Sequence, residues 1–215
     1  MKNKKIRHIL DKAISIIGQQ RNENLETPLY EFLRRYGPMP CTDIVLVPKD
    51  KKPSVILARR GNNAVAPDSW FIFGGRVDKK MNYEETASSK VKTEIGIEIR
   101  LEAEDIIGFG RTYFKPDNNE IPIRNYDIGT SALVFAKQIS LNKKTIGKIK
   151  PSDGHNEWSI FRDIESNWHP YVISTVASAW KRFYGSEALV SLDKKSRAII
   201  KDSYHFIPLR FEPNF

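Results

Sequence analysis

Cysteine is nearly absent from this chain of 215 residues. The single Cys41 excludes an internal disulfide and fits a reducing compartment, so we expect a cytoplasmic protein in which Cys41 is a small buried residue. Long apolar runs are also absent, since none approaches the ~20 residues that a helix needs to span a bilayer. We therefore expect no membrane partner.

The N-terminal segment, MKNKKIRHILDKAISIIG, is basic and then apolar, as in a signal peptide. His8, Asp11 and Lys12 interrupt its apolar part and no small-residue cleavage site follows, which favours a helix. Residues 1–40 are predicted to form a helical extension that packs on the domain or on a second subunit; a binding function of their own is the alternative. The apolar positions with helical spacing are Ile6, Ile9, Leu10, Ala13, Ile14 and Ile17.

Acidic residues are the minority charge, with 26 Asp and Glu against 35 Lys and Arg, for a net charge of +9. This balance favours a polyanionic ligand, either a nucleotide diphosphate or a nucleic acid, although a basic surface can also serve only solubility. The lysines are scattered, and no basic stripe is interleaved with exposed aromatic residues. We therefore expect no nucleic-acid partner.

The chain divides into three predicted parts: the extension 1–40, a domain at 41–184, and a C-terminal helix and tail at 185–215. Apolar and β-branched runs predict strands at 42–48, 54–60, 70–73, 106–114, 129–137 and 156–161. Helical spacing predicts helices from about residue 82 to 95, at 168–184 and at 186–201, and residues 202–215 are predicted to be irregular.

The most informative stretch is Trp70–Ile97, WFIFGGRVDKKMNYEETASSKVKTEIGI. Its aromatic start suits a buried strand, and Gly74-Gly75 allow the backbone to turn sharply and approach a ligand. Asn82 followed by Glu85 predicts a capping box, and Gly96 predicts a left-handed helix end. The predicted inner stripe of the helix consists of Ala87, Val91 and Ile95.

This strand–turn–helix layout resembles the Nudix box, the signature of the Nudix hydrolases. Counted from Gly75, the spacing is intact, and the positions that fit the family pattern are Gly75, Val91, Glu94, Gly96 and Ile97. The glutamate and arginine positions that do not fit are held by Met81, Ser89, Lys90 and Thr93. Over residues 40–184 the resemblance implies an α+β Nudix fold, a mixed β-sheet sandwiched between α-helices.

Within that family the chain looks most like the GDP-mannose mannosyl hydrolases, a branch that also loses most box glutamates and keeps a GGRV stretch. The resemblance implies hydrolysis of a nucleoside diphosphate sugar, GDP-mannose-like, with water attacking the anomeric carbon. It also implies a homodimer. Ordinary Nudix pyrophosphate cleavage of a nucleotide derivative and a catalytically inactive nucleotide-binding module are the alternatives.

The resemblance further implies a magnesium ion, with manganese as the alternative, held by the carbonyl of Gly74 and the carboxylate of Glu94. Magnesium prefers oxygen ligands and keeps several waters, so two protein oxygens and a diphosphate could suffice. Lys90 lies one turn before Glu94, which argues against a cluster of several metals and suits a phosphate-binding side chain. The branch has a glutamine ligand where this chain has Gly154.

By the same resemblance Arg60 and Arg76 contact the diphosphate, whose oxygens a guanidinium holds through two parallel hydrogen bonds. Arg59 replaces Arg60 in this prediction if the strand register differs by one residue. Asp43 takes the position of a carboxylate that contacts the sugar.

His155 takes the position of the general base, and an imidazole is suited to accepting a proton from water near neutral pH. Tyr126 borders a long polar loop at 115–127, where a nucleobase or sugar could pack.

Overall fold

The computed structural model describes residues 38–61, 66–114, 128–142, 155–201 and 206–209. Most of the predicted extension, residues 1–37, and the loop that carries Tyr126 lie outside these residues, as does Gly154. The strands are β1 (Met39–Pro48), β2 (Val55–Arg60), β3 (Trp70–Phe71), β4 (Phe73–Arg76), β5 (Ile106–Phe114), β6 (Ile128–Ile139), β7 (His155–Phe161) and β8 (Phe206–Pro208). The α-helices are α1 (Tyr83–Ile95), α2 (Pro170–Tyr184) and α3 (Lys194–Lys201).

The described strands form one mixed sheet in the order β3-β2-β1-β6-β5-β8, with β4 beside β1 and β7 beside β2. β1 and β6 run parallel, and the other described pairs are antiparallel. The predicted α+β class is confirmed. None of the helices in these residues is long and apolar enough to cross a membrane.

The buried side chains of β1 belong alternately to two separate hydrophobic cores, because successive side chains of a strand point to opposite faces of the sheet. Ile44 and Leu46 belong to the cluster that contains the inner stripe of α1. Val45 and Val47 belong to the cluster that contains the buried face of α2. The predicted stripe of α1 is confirmed, since its members are 1% exposed or less: Ala87, Val91 and Ile95.

The predicted turn at Gly74-Gly75 is wrong, because both glycines lie in strand β4 and pair with β1. We call these two residues the glycine segment. β1 pairs with β2 near its C-terminal end, at Leu46 and Ile56, whereas its N-terminal half pairs with β4. β3 pairs instead with the end of β2. The short β3–β4 segment therefore passes from β2 to β1 and presses Gly74 and Gly75 against β1.

The local signals at α1 are confirmed. Glu85 N–H donates to the Asn82 side chain at 2.8 Å, and Asn82 N–H donates to Glu85 Oε2 at 3.0 Å, which completes the capping box. Gly96 ends the helix in the left-handed conformation, at φ +73°. These two ends fix which residues face the sheet.

The C-terminal predictions are wrong in two places. The single helix at 186–201 is a 3-10 turn, Ser186–Leu189, followed by α3, because Asp193 Oδ1 accepts the Ser196 N–H at 2.8 Å and starts a new helix. The predicted irregular tail contains β8, which pairs with β5 through Gly108 and Gly110. Outside the C-terminal part, the predicted strand at 70–73 is interrupted at Ile72, which separates β3 from β4.

Candidate functional site

The glycine segment of β4 requires glycine at its first position. Gly74 has φ +143°, and a Cβ there would lie 2.3 Å from the Thr42 carbonyl oxygen. A Cβ on Gly75 would lie 3.3 Å from Cε of Lys90, whose side chain extends from α1 over the glycine segment. The backbone of the glycine segment is thus in close contact with β1 on one side, and Lys90 approaches it on the other.

Glu94, in the last turn of α1, lies against the glycine segment. It is 5% exposed, and its Oε2 accepts the Gly74 N–H at 3.2 Å. Burial raises the pKa of Glu94 to about 7, against the lowering effects of the Gly74 hydrogen bond and of the positive charge of Lys90. Glu94 therefore titrates near neutral pH, and a bound cation would favour its charged form.

Asp43 is half-buried on β1, directly opposite Gly74. Its Oδ2 accepts a 2.5 Å hydrogen bond from the Tyr171 hydroxyl. A Cβ on Gly74 would lie 2.5 Å from Asp43 Oδ1, so that oxygen faces the glycine segment. Burial raises the pKa of Asp43 to about 6, although the Tyr171 hydrogen bond and the charge of Arg60 lower it.

Arg60 is the cation that both carboxylates share. Its guanidinium lies 4.1 Å from the centroid of the Phe71 ring, a cation–π contact. Burial lowers the pKa of Arg60, while the charges of Asp43 and Glu94 raise it. The charge of Arg60 therefore interacts with both carboxylates near the glycine segment.

Arg59 and Arg60 have different surroundings. Arg59 is exposed, donates to Glu157 Oε1 at 2.9 Å and lies 3.8 Å from Asp68 Oδ1. Its neighbour along β2, Arg60, carries the interaction with Asp43. Arg60 thus interacts with the carboxylates of the site, whereas Arg59 is paired with Glu157 at the surface. Which of the two arginines contacts a diphosphate stays a prediction.

Arg76 and Lys90 add positive charge around Cys41, which is 7% exposed. Arg76 pairs with Cys41 in the β1–β4 register. Burial raises the pKa of the Cys41 thiol to about 12, helped by the charge of Asp43 and opposed by Arg76, Arg60 and Lys90. Cys41 is therefore a neutral buried residue, as predicted, and the three cations converge on one region.

His155 begins β7, where it pairs with Arg60 in register. Its ring centroid is 6.2 Å from that of Phe73, the residue before the glycine segment. The predicted general base is thus on the strand next to Arg60. Gly154 and Tyr126 lie outside the described residues, so their predicted roles stay predictions.

The predicted magnesium site has two carboxylates near it in the described residues. No group of three or more His, Cys, Asp or Glu residues that could hold a metal occurs in the part of the chain described. The oxygens near the glycine segment come from Glu94, whose raised pKa a cation would lower, and from Asp43 Oδ1 beside Gly74. Magnesium accepts such oxygen donors and keeps waters for its remaining positions.

Two functional candidates escaped sequence reasoning. Tyr171, whose hydroxyl donates to Asp43, lies on α2, and the sequence predicted that helix without indicating a functional residue in it. Phe71 was assigned to the core, where its 3% exposure confirms it, but its contact with Arg60 gives it a second role. Both depend on contacts between distant segments.

No protein-family profile matches the chain, and no curated protein sequence matches it. Similar solved structures include a MutT/nudix family protein from Enterococcus faecalis, with 20% identity, TM-score 0.42 and coverage of 71% of this chain and half of that one. A MutT protein from Methanosarcina mazei has 21% identity, TM-score 0.41 and coverage of 57% and 76%.

A MutT NUDIX hydrolase from Burkholderia pseudomallei has 14% identity and a TM-score of 0.44, and the match covers 64% of this chain and 96% of that chain. At these identities and TM-scores, the likeness defines neither an activity nor a substrate.

Proposed function

We propose that this protein is a magnesium-dependent hydrolase of a nucleoside diphosphate sugar, in which water attacks the anomeric carbon. The observation that supports this most is the collection of Arg60, Arg76 and Lys90 around the glycine segment of β4. The buried Glu94 and the half-buried Asp43 lie beside the same segment. Three cations suit a diphosphate, whose charge they would neutralise in both the substrate and the leaving group.

The proposed reaction breaks the bond between the anomeric carbon and the diphosphate oxygen. Water forms the new bond to that carbon and gives its proton to the imidazole of His155, and the nucleoside diphosphate leaves with the bonding electrons. Arg60, held by Phe71, and Lys90 stabilise the charge that develops on the leaving group. A magnesium ion bound by Glu94 and Gly74 would neutralise part of the same charge.

Attack at the sugar carbon is preferred over attack at phosphorus because the site is poor in carboxylates. Lys90 and Thr93 occupy positions one turn and one residue before Glu94, on the same helix. In the described residues the carboxylates beside the glycine segment are Glu94 and Asp43, and both have a raised pKa. A site with several metals, each of which needs oxygen ligands, is less well supplied here.

Hydrolysis in ¹⁸O-water tests the position of attack. With GDP-mannose as the probe and magnesium present, we expect the label in the released sugar and unlabelled GDP. His155→Ala and Glu94→Gln should each lower kcat strongly. Label in a phosphate product would refute attack at carbon and favour the second candidate, ordinary pyrophosphohydrolase chemistry. Binding of the sugar nucleotide by calorimetry without turnover would favour a binding module. The homodimer stays a prediction, to be tested by sedimentation.

A further inference from the structure

Tyr171 is a buried tyrosine at the start of α2 whose hydroxyl reaches across the core to the site. It is 1% exposed, and its hydroxyl donates to Asp43 Oδ2 at 2.5 Å. A short hydrogen bond between a buried hydroxyl and a carboxylate is among the stronger ones, because the acceptor is charged and water is excluded. The bond occupies one oxygen of Asp43.

The other oxygen of Asp43 is directed to the glycine segment. A Cβ on Gly74 would meet Oδ1 at 2.5 Å, so Oδ1 lies against the backbone of Gly74. The N–H of the same residue donates to Glu94. With Oδ2 held by Tyr171, rotation of the carboxylate is restricted. The orientation in which Oδ1 faces the glycine segment is the one this hydrogen bond selects.

The tyrosine itself is fixed from several sides. Its backbone N–H donates to His169 Nδ1 at 3.2 Å, and its carbonyl accepts from Thr175 Oγ1 at 2.9 Å. A Cβ on Gly110 would lie 2.4 Å from its ring, so the ring packs directly on the β5 backbone. On another side its ring centroid is 6.0 Å from that of Phe71, the ring that makes the cation–π contact with Arg60. Tyr171 thus has one position, set by β3, β5 and its own helix.

We propose that Tyr171 is a positioning residue, which holds Asp43 Oδ2 so that Oδ1 is presented beside Gly74 to the bound substrate. The role in turnover rests on the proposed function, whereas the orientation of Asp43 does not. Tyr171 does not touch the reacting atoms in this proposal and acts through Asp43.

A double-mutant cycle tests this with four proteins: wild type, Tyr171→Phe, Asp43→Ala and the double variant. In the wild-type background we expect Tyr171→Phe to lower kcat for GDP-mannose by about tenfold, because it removes one charge-assisted hydrogen bond. KM should change by less than about twofold. In the Asp43→Ala background the same substitution should change kcat by less than about twofold.

Tyr184→Phe is the matched control, because it also removes a tyrosine hydroxyl from α2. The Tyr184 hydroxyl donates to the Pro48 carbonyl at 3.0 Å. We expect its kcat to equal that of the wild type. Equal losses from Tyr171→Phe in both Asp43 backgrounds, or a loss confined to KM, would overturn the proposal.

Unfolding of the same four proteins in urea separates this proposal from the proposed function. We expect the two substitutions to be non-additive in the free energy of unfolding, since each breaks the same bond. If the wild type hydrolyses no sugar nucleotide, the proposed function fails, while non-additive unfolding still supports the orientation of Asp43 by Tyr171. Additive unfolding free energies overturn it whatever the activity.

Discussion

Glu94 should make this protein less stable as the pH rises, which is the opposite of most carboxylates that are paired in a folded protein. Burial raises its pKa from an ordinary 4.5 to about 7. Between these two values the folded state binds more protons than the unfolded state, so the free energy of unfolding falls as pH increases. The loss is complete above pH 7 and absent below about pH 4.5.

The difference between the two pKa values corresponds to ~3 kcal/mol at pH 8, as an upper limit. Asp43 has a raised pKa as well and repels the Glu94 carboxylate, so the two titrations are linked and the measured value should be smaller. Glu94→Gln removes the titration while keeping an oxygen that can accept the Gly74 N–H. Its free energy of unfolding, relative to that of wild type, should rise by about 2 kcal/mol between pH 5 and pH 8.

The assay is urea unfolding of both proteins at pH 5, 6, 7 and 8 in metal-free buffer, where no cation can occupy the carboxylate. Glu98→Gln is the matched control, because Glu98 is exposed and pairs with Lys92 in solvent. Its stability should follow the wild-type pH curve. Parallel pH curves for Glu94→Gln and wild type would show that Glu94 does not titrate as argued.

Two further experiments test the glycine segment and the lysine that lies over it. Gly74→Ala should destabilise the fold by ~3 kcal/mol or more in urea unfolding, because its Cβ meets the Thr42 carbonyl at 2.3 Å. Gly75→Ala should cost less, since the flexible Lys90 side chain can move. Equal losses of unfolding free energy in the two variants would contradict this. Lys90→Ala should weaken GDP binding in calorimetry about tenfold, while Lys92→Ala, which removes an exposed lysine of the same helix, should not. Unchanged affinity in Lys90→Ala would remove it from the phosphate site.

The sequence was sufficient for the parts of the molecule that depend on neighbours in the chain. The capping box at Asn82, the left-handed end at Gly96 and the inner stripe of α1 follow from local spacing, and each is confirmed. The paired glycines correctly predicted a close approach to other groups, but the predicted turn is a strand, β4. Most strands of the central sheet were predicted for the same reason, since alternation and β-branched residues are local signals. The exceptions are β4, whose glycines were predicted to form a turn, and β8.

Only the tertiary structure determined how these parts meet. Tyr171 and Asp43 are 128 positions apart, and their hydrogen bond exists because β1 lies under α2. That Arg60 rather than Arg59 interacts with the carboxylates depended on which residue of β2 faces them. β8 was missed because a strand of three residues, Phe206–Pro208, is specified by the edge of β5 that it pairs with. Local patterns specify elements, whereas burial, charge clusters and raised pKa values arise when distant elements pack together.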